Sequence, residues 1–136
     1  MAKPEFKWIT PVLCVNNVSA SLQHYAEVLG FEIAWSWSEN VAFDKPEHPT
    51  FACVCRGEIS LFLCEQGQGH PGSWVCLNVS TLDELQQLYE EYQHSGAKIT
   101  QPPIDCSWGM REMHVQDLDG NTFRMGCVLG EAPESE

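Results

Sequence analysis

No apolar stretch in the sequence approaches the roughly 20 residues that a membrane-spanning helix needs, and Met1-Ala2-Lys3-Pro4-Glu5 lacks the apolar core of a signal peptide. These absences make the cytoplasm the expected compartment. C-x-x-C pairs are also missing, which removes the usual zinc-knuckle and redox motifs. The 7 cysteines are odd in number, and spacings such as Cys53-x-Cys55 fit strand alternation rather than a disulfide framework. They are expected as reduced, partly buried thiols. Basic charge is scarce: 7 Lys and Arg stand against 19 Asp and Glu, and the net charge of −12 repels nucleic acid and anionic membranes. The same excess attracts cationic partners, or serves solubility alone.

What is present is the composition of a globular domain, with 43% hydrophobic residues over 136 positions. A chain of that size buries roughly two-thirds of its unfolded surface and needs no disulfide staple. Trp8 to Val15 reads as a strand whose Pro11 places it at an edge or lets it peel away. A helix follows, capped by Asn17 or Ser19 and stopped at Gly30, with Leu22, Tyr25, Ala26 and Leu29 at helical spacing. Phe31 to Trp37 alternates as a strand, and a loop with Pro46 and Pro49 leads to a hairpin, Phe51–Arg56 and Glu58–Cys64 around Gly57. After the Gly67–Gly72 loop comes a strand, Trp74 to Val79, then a helix with a Thr81/Glu84 capping box and an end at Gly96. A short strand at Lys98 to Thr100, a Pro102-Pro103 loop, and strands Arg111–Asp117 and Thr122–Val128 joined at Asp119-Gly120-Asn121 complete the chain.

Strand, helix, glycine, strand thus occurs twice, and each half is βαβββ. The expected fold is α+β, a single domain of two pseudo-repeated modules, about 6–66 and about 72–130, with an acidic tail at 131–136. A four-stranded sheet carrying one helix covers one face only, so two such units leave their open faces curved around a cavity.

This arrangement resembles the vicinal-oxygen-chelate superfamily, which includes glyoxalase I, extradiol dioxygenases and bleomycin-resistance proteins. Asp117-Leu118-Asp119-Gly120-Asn121 resembles the family's D-P-x-G-N turn, with Leu118 in place of proline. The nearest resemblance is to the bleomycin-resistance binding proteins, through Pro11-Val12-Leu13, Leu29-Gly30-Phe31, Phe51-Ala52-x-Val54-x-Arg56, Trp74-Val75, Trp108-Gly109-x-Arg111-Glu112 and Asp117-x-x-Gly120-Asn121. The resemblance implies an acidic homodimer that sequesters a cationic glycopeptide in two grooves without degrading it. It also implies metal positions in the metal-dependent members, which align here with Thr10, Trp74 and Arg124. A hydroxyl, an indole and a guanidinium are not substitutes for imidazole and carboxylate ligands, so no metal and no other cofactor is expected.

By strand parity and this resemblance, Phe51, Phe62, Cys64, Trp74, Cys76, Glu112, His114 and Arg124 face the cavity, and Trp108 overlooks it from a Ser-Trp-Gly loop. Core packing competes with ligand contact for Phe51; for Trp74 and Trp108 ligand contact is favoured. Trp35 and Trp37 flank the groove. No catalytic residue is assigned, and the leading expectation is a metal-free binder of an amphipathic or cationic small molecule. Two alternatives stay open. Glu112 and His114, two apart on one strand, could serve a glyoxalase-like lyase or isomerase as an acid/base pair, or an unexpected metal could do so, against the plainer and favoured reading of a polar contact or an internal ion pair with Arg124. Alternatively, Cys14, Cys53, Cys55, Cys64 and Cys76 could bind a soft metal or metalloid, against the plainer reading of cysteines as small core hydrophobes.

Overall fold

A computed structural model describes residues 3–38, 48–65 and 67–130. Pro46 and the acidic tail lie outside the described residues. The first half supplies β1 (Val12–Val15), α1 (Val18–Glu27), β2 (Glu32–Trp37), β3 (Phe51–Arg56) and β4 (Ile59–Glu65). The second supplies β5 (Trp74–Asn78), α2 (Leu82–Ser95), β6 (Lys98–Asp105), β7 (Met110–Gln116) and β8 (Thr122–Val128). Each half closes its own four-stranded sheet in the same order, β1-β4-β3-β2 and β5-β8-β7-β6. In both, the first strand runs parallel to the last and the other pairs are antiparallel. The fold is therefore α+β with two βαβββ modules.

Local chemistry sets the helix limits. Asn17 caps α1 by accepting a bond from the Ala20 amide at 2.9 Å, which resolves the choice between Asn17 and Ser19. Thr81 and Glu84 form a reciprocal capping box on α2, and Gly96 ends that helix in the left-handed region, φ 84°. Two strand boundaries differ from the sequence reading by more than two residues. The first strand is short, starting at Val12, because Trp8 and Ile9 are 80% and 84% exposed and meet no partner strand. Conversely, β6 runs straight through Pro102 and Pro103 rather than breaking there. It is an edge strand with two register shifts against β7, and a ring lacking N–H is tolerated where no further strand seeks that donor.

One core unites the modules. Leu13, Val15, Val54, Leu61 and Leu63 of the first sheet and Met113, Val115, Phe123 and Met125 of the second are all 2% exposed or less. They lie on the helix-bearing faces. Tyr25 of α1 packs edge-on against Phe123 of β8 at 6.2 Å and donates to Asp117 Oδ2 at 2.7 Å. Tyr92 of α2 donates to the Leu29 carbonyl at 2.7 Å, and Arg56 of β3 makes a bidentate bridge to Glu91, both bonds 2.7 Å. The opposite face of each sheet is left for other work.

Candidate functional site

Register sets which residues sit side by side on those opposite faces. In the first sheet, Phe51 pairs with Cys64 and with Trp37, Cys53 with Phe62 and with Trp35, and Val12 and Cys14 with Phe62 and Cys64. The result is an aromatic cluster: Trp35 stacks on Phe51 at 5.8 Å, Phe62 lies 5.2 Å from Phe51 and 5.5 Å from Trp35. Trp37, Phe51, Cys64 and Glu65 line a cavity of about 360 Å³ at the end of this sheet.

The second sheet carries a polar constellation. His114 and Cys76 both pair with Arg124, and Glu112 pairs with Gly126. Glu112 is 6% exposed, and its carboxylate accepts bonds from Arg124 Nη2 at 2.9 and 3.1 Å and from the Trp108 indole N–H at 3.2 Å. The Arg124 guanidinium lies 5.9 Å from the Trp108 ring centre. Trp74 meets His114 edge-on at 5.3 Å. The turn that lifts Trp108 is held by Cys106 donating to the Met110 carbonyl at 2.7 Å and by Gly109 at φ 86°. Hydrogen bonding from Arg124, seconded by the Trp108 indole, holds the Glu112 carboxyl below the usual range against the opposing effect of burial.

The nine residues singled out in the sequence therefore fall into two patches, Phe51, Phe62 and Cys64 on one sheet and Trp74, Cys76, Trp108, Glu112, His114 and Arg124 on or above the other. Among the described residues no hydrogen bond, ion pair or ring contact joins the two sets. A separate cleft of about 650 Å³ runs between the modules, lined among others by Arg56, Glu58, Leu77, Leu88, Glu91 and Tyr92, and contains none of the nine. Its charged centre is the Arg56–Glu91 bridge, already spent on joining the modules.

The positions that hold a divalent ion elsewhere in this kind of fold do not fit one here. Trp74 offers an indole packed on His114, Arg124 a guanidinium committed to Glu112, and among the described residues no group of three or more His, Cys, Asp or Glu could hold a metal ion. The five cysteines weighed together in the sequence divide as well: Cys14, Cys53, Cys55 and Cys64 share the first sheet, while Cys76 lies on the second. Glu112 and His114 do project to one side, yet Glu112 is a fixed, ionised acceptor for Arg124 and Trp108, which weighs against proton transfer by this pair.

Sequence reasoning missed Gly126. A Cβ there would sit 2.9 Å from Glu112 Cγ and 3.0 Å from the Arg111 carbonyl, so only glycine leaves room for the carboxylate side chain. A glycine inside an otherwise regular strand was the available signal.

A family model described as the glyoxalase/bleomycin resistance protein/dioxygenase superfamily matches residues 6–125. The chain belongs to that superfamily. TioX from Micromonospora sp. ML1 is 21% identical with a TM-score of 0.71, the alignment covering 90% of this chain and 100% of that one. A glyoxalase/bleomycin resistance protein/dioxygenase from Nocardioides is 18% identical, TM-score 0.68, over 98% of this chain and 91% of that one. At these identities the likeness concerns the fold alone. The bleomycin-binding protein from bleomycin-producing Streptomyces verticillus, solved with copper(II)-bleomycin, is 26% identical with a TM-score of 0.65, covering 95% of this chain and all of that one. None of the curated proteins compared with the chain matches it significantly.

Proposed function

We propose that this superfamily member is a small-molecule binding protein that sequesters an amphipathic or cationic ligand, specifically a bleomycin-type cationic antibiotic, without a metal and without turnover. The observation that carries the reading is the second-sheet face. Trp74 and Trp108, 60% and 63% exposed, stand beside the Glu112–Arg124 ion pair, an arrangement that offers flat apolar walls around a fixed pair of charges. Two indoles left open to water are costly unless something covers them, and each cation–π contact with a bound cation contributes roughly 0.5–2 kcal/mol. The net charge of −12 raises the encounter rate with cations, and the likeness to the Streptomyces verticillus protein supplies the ligand class.

In this reading the chain works as a cytoplasmic homodimer. Phe6, Trp8 and Ile9 are 101%, 80% and 84% exposed ahead of Pro11, an apolar arm that a second copy would cover. Titrating the protein with bleomycin at low salt while following tryptophan fluorescence tests the assignment. Saturation at micromolar ligand is expected, about −8 kcal/mol of binding free energy. A flat titration with circular dichroism intact would remove bleomycin as the ligand.

A further inference from the structure

The first sheet holds a pair of thiols that the cationic-ligand reading does not use. β1 and β4 are parallel neighbours, and their register sets Cys14 directly beside Cys64, both free thiols. Adjacent strands lie about 4.8 Å apart, so side chains in register on one face are near neighbours. Cys53 and Cys55 share the face but are separated by two residues of one strand, about 6.6 Å, and sit opposite Phe62 and Ser60. Cys14–Cys64 is the closer thiol pair. Cys64 also opens into the cavity of about 360 Å³ beside Trp37 and Phe51. Gly69 comes close to Cys14: a Cβ on it, at φ +78°, would lie 2.9 Å from the Val12 carbonyl and 3.6 Å from Cys14 Cβ.

We propose that Cys14 and Cys64 form a dithiol site for a trivalent aryl-arsenical, with arsenic bound by both sulfurs and the aryl group in the cavity against Trp37 and Phe51. Soft thiolate sulfur selects a soft acceptor. The number of thiols selects the substitution. Inorganic arsenite takes three sulfurs, and among the described residues no group of three or more candidate ligands comes together. An arsenic already carrying one carbon needs two, and an aryl substituent matches the aromatic wall. In the hydrated reagent, ArAs(OH)₂, two S–H and two As–OH bonds break, two As–S bonds form and two waters leave. Arsenic stays trivalent, so no oxidant or reductant takes part. The site is independent of the ligand assigned to the second sheet.

The test treats the reduced, full-length protein with one equivalent of phenylarsine oxide, measures intact mass, then alkylates and maps the remaining free cysteines. One phenylarsenic group per chain is expected, with Cys14 and Cys64 both protected from alkylation, and release by a small dithiol but not by glutathione. Cys14→Ser and Cys64→Ala should each weaken retention at least ~tenfold, while Cys53→Ser, Cys55→Ser and Cys76→Ser keep it. Protection mapping to Cys53 and Cys55, or no adduct on the folded reduced chain, would overturn the proposal. Mapping on the unaltered protein decides the matter even if a variant fails to fold. Failure here would leave the bleomycin titration untouched, and the reverse holds too.

Discussion

Glu112 is the residue on which the second-sheet face turns, because it is buried, charged and shared between Arg124 and Trp108. Its folded-state carboxyl lies below the ordinary value of 4.5, so it contributes stability that is complete above that value and is lost as pH falls through the depressed one. The melting-temperature gap between the wild type and Glu112→Gln is accordingly expected to be full near neutrality and to close in acid; a gap that widens in acid contradicts the assignment. Gly126→Ala should cost roughly 1–3 kcal/mol by crowding Glu112 Cγ and the Arg111 carbonyl, measured by thermal unfolding. Sequence parity placed Glu112, His114 and Arg124 on one face. It offered no view of the Trp108–Glu112 hydrogen bond, since the loop conformation that swings the indole over the carboxylate depends on Gly109 and the Cys106–Met110 closure.

At the scale of elements, what a short window determines was legible and what a neighbour determines was not. The capping box of α2 is such a local device: Glu84 Oε1 accepts from the Thr81 amide at 3.2 Å and Thr81 Oγ1 from the Glu84 amide at 3.1 Å. Thr81→Ala should therefore lower stability by about 0.5–2 kcal/mol, read from a denaturant midpoint shift at constant slope. The ends of β1 and β6 were misjudged for a common reason. Whether residues 8–11 or 101–105 count as strand depends on a partner's presence or absence at that edge, and a proline is a break in a central strand but harmless at a border. Gly30 shows local and distant demands meeting at one position: α1 already ends at Glu27 with Val28 as its cap, and the φ of +77° at Gly30 turns the chain on toward β2, while the missing Cβ leaves space for the Arg56 guanidinium and the Glu91 carboxylate that bridge the modules.

For the whole molecule, the repeat of βαβββ could be read from the chain, whereas the way its halves meet could not. The contact between Tyr25 and Asp117 spans 92 residues, and nothing in a local pattern encodes it. Burial, reinforced by the Asp117 charge, drives the Tyr25 hydroxyl well above its ordinary range, keeping it a neutral donor to that carboxylate. Tyr25→Phe removes the bond while keeping the ring's packing on Phe31 and Phe123, and is expected to cost about 1–3 kcal/mol with the two-state transition retained. With the helix-bearing faces spent on this shared core, the aromatic and charged faces of the two sheets are open to a ligand, as is the cleft between the modules. The central claim, capture without chemical change, is tested most directly by native mass spectrometry of the protein incubated with bleomycin, followed by denaturation and mass measurement of the released ligand. The account predicts a dimer carrying bleomycin whose mass is unaltered on release. A ligand released with a changed mass, or a folded protein that never carries it, would contradict the account.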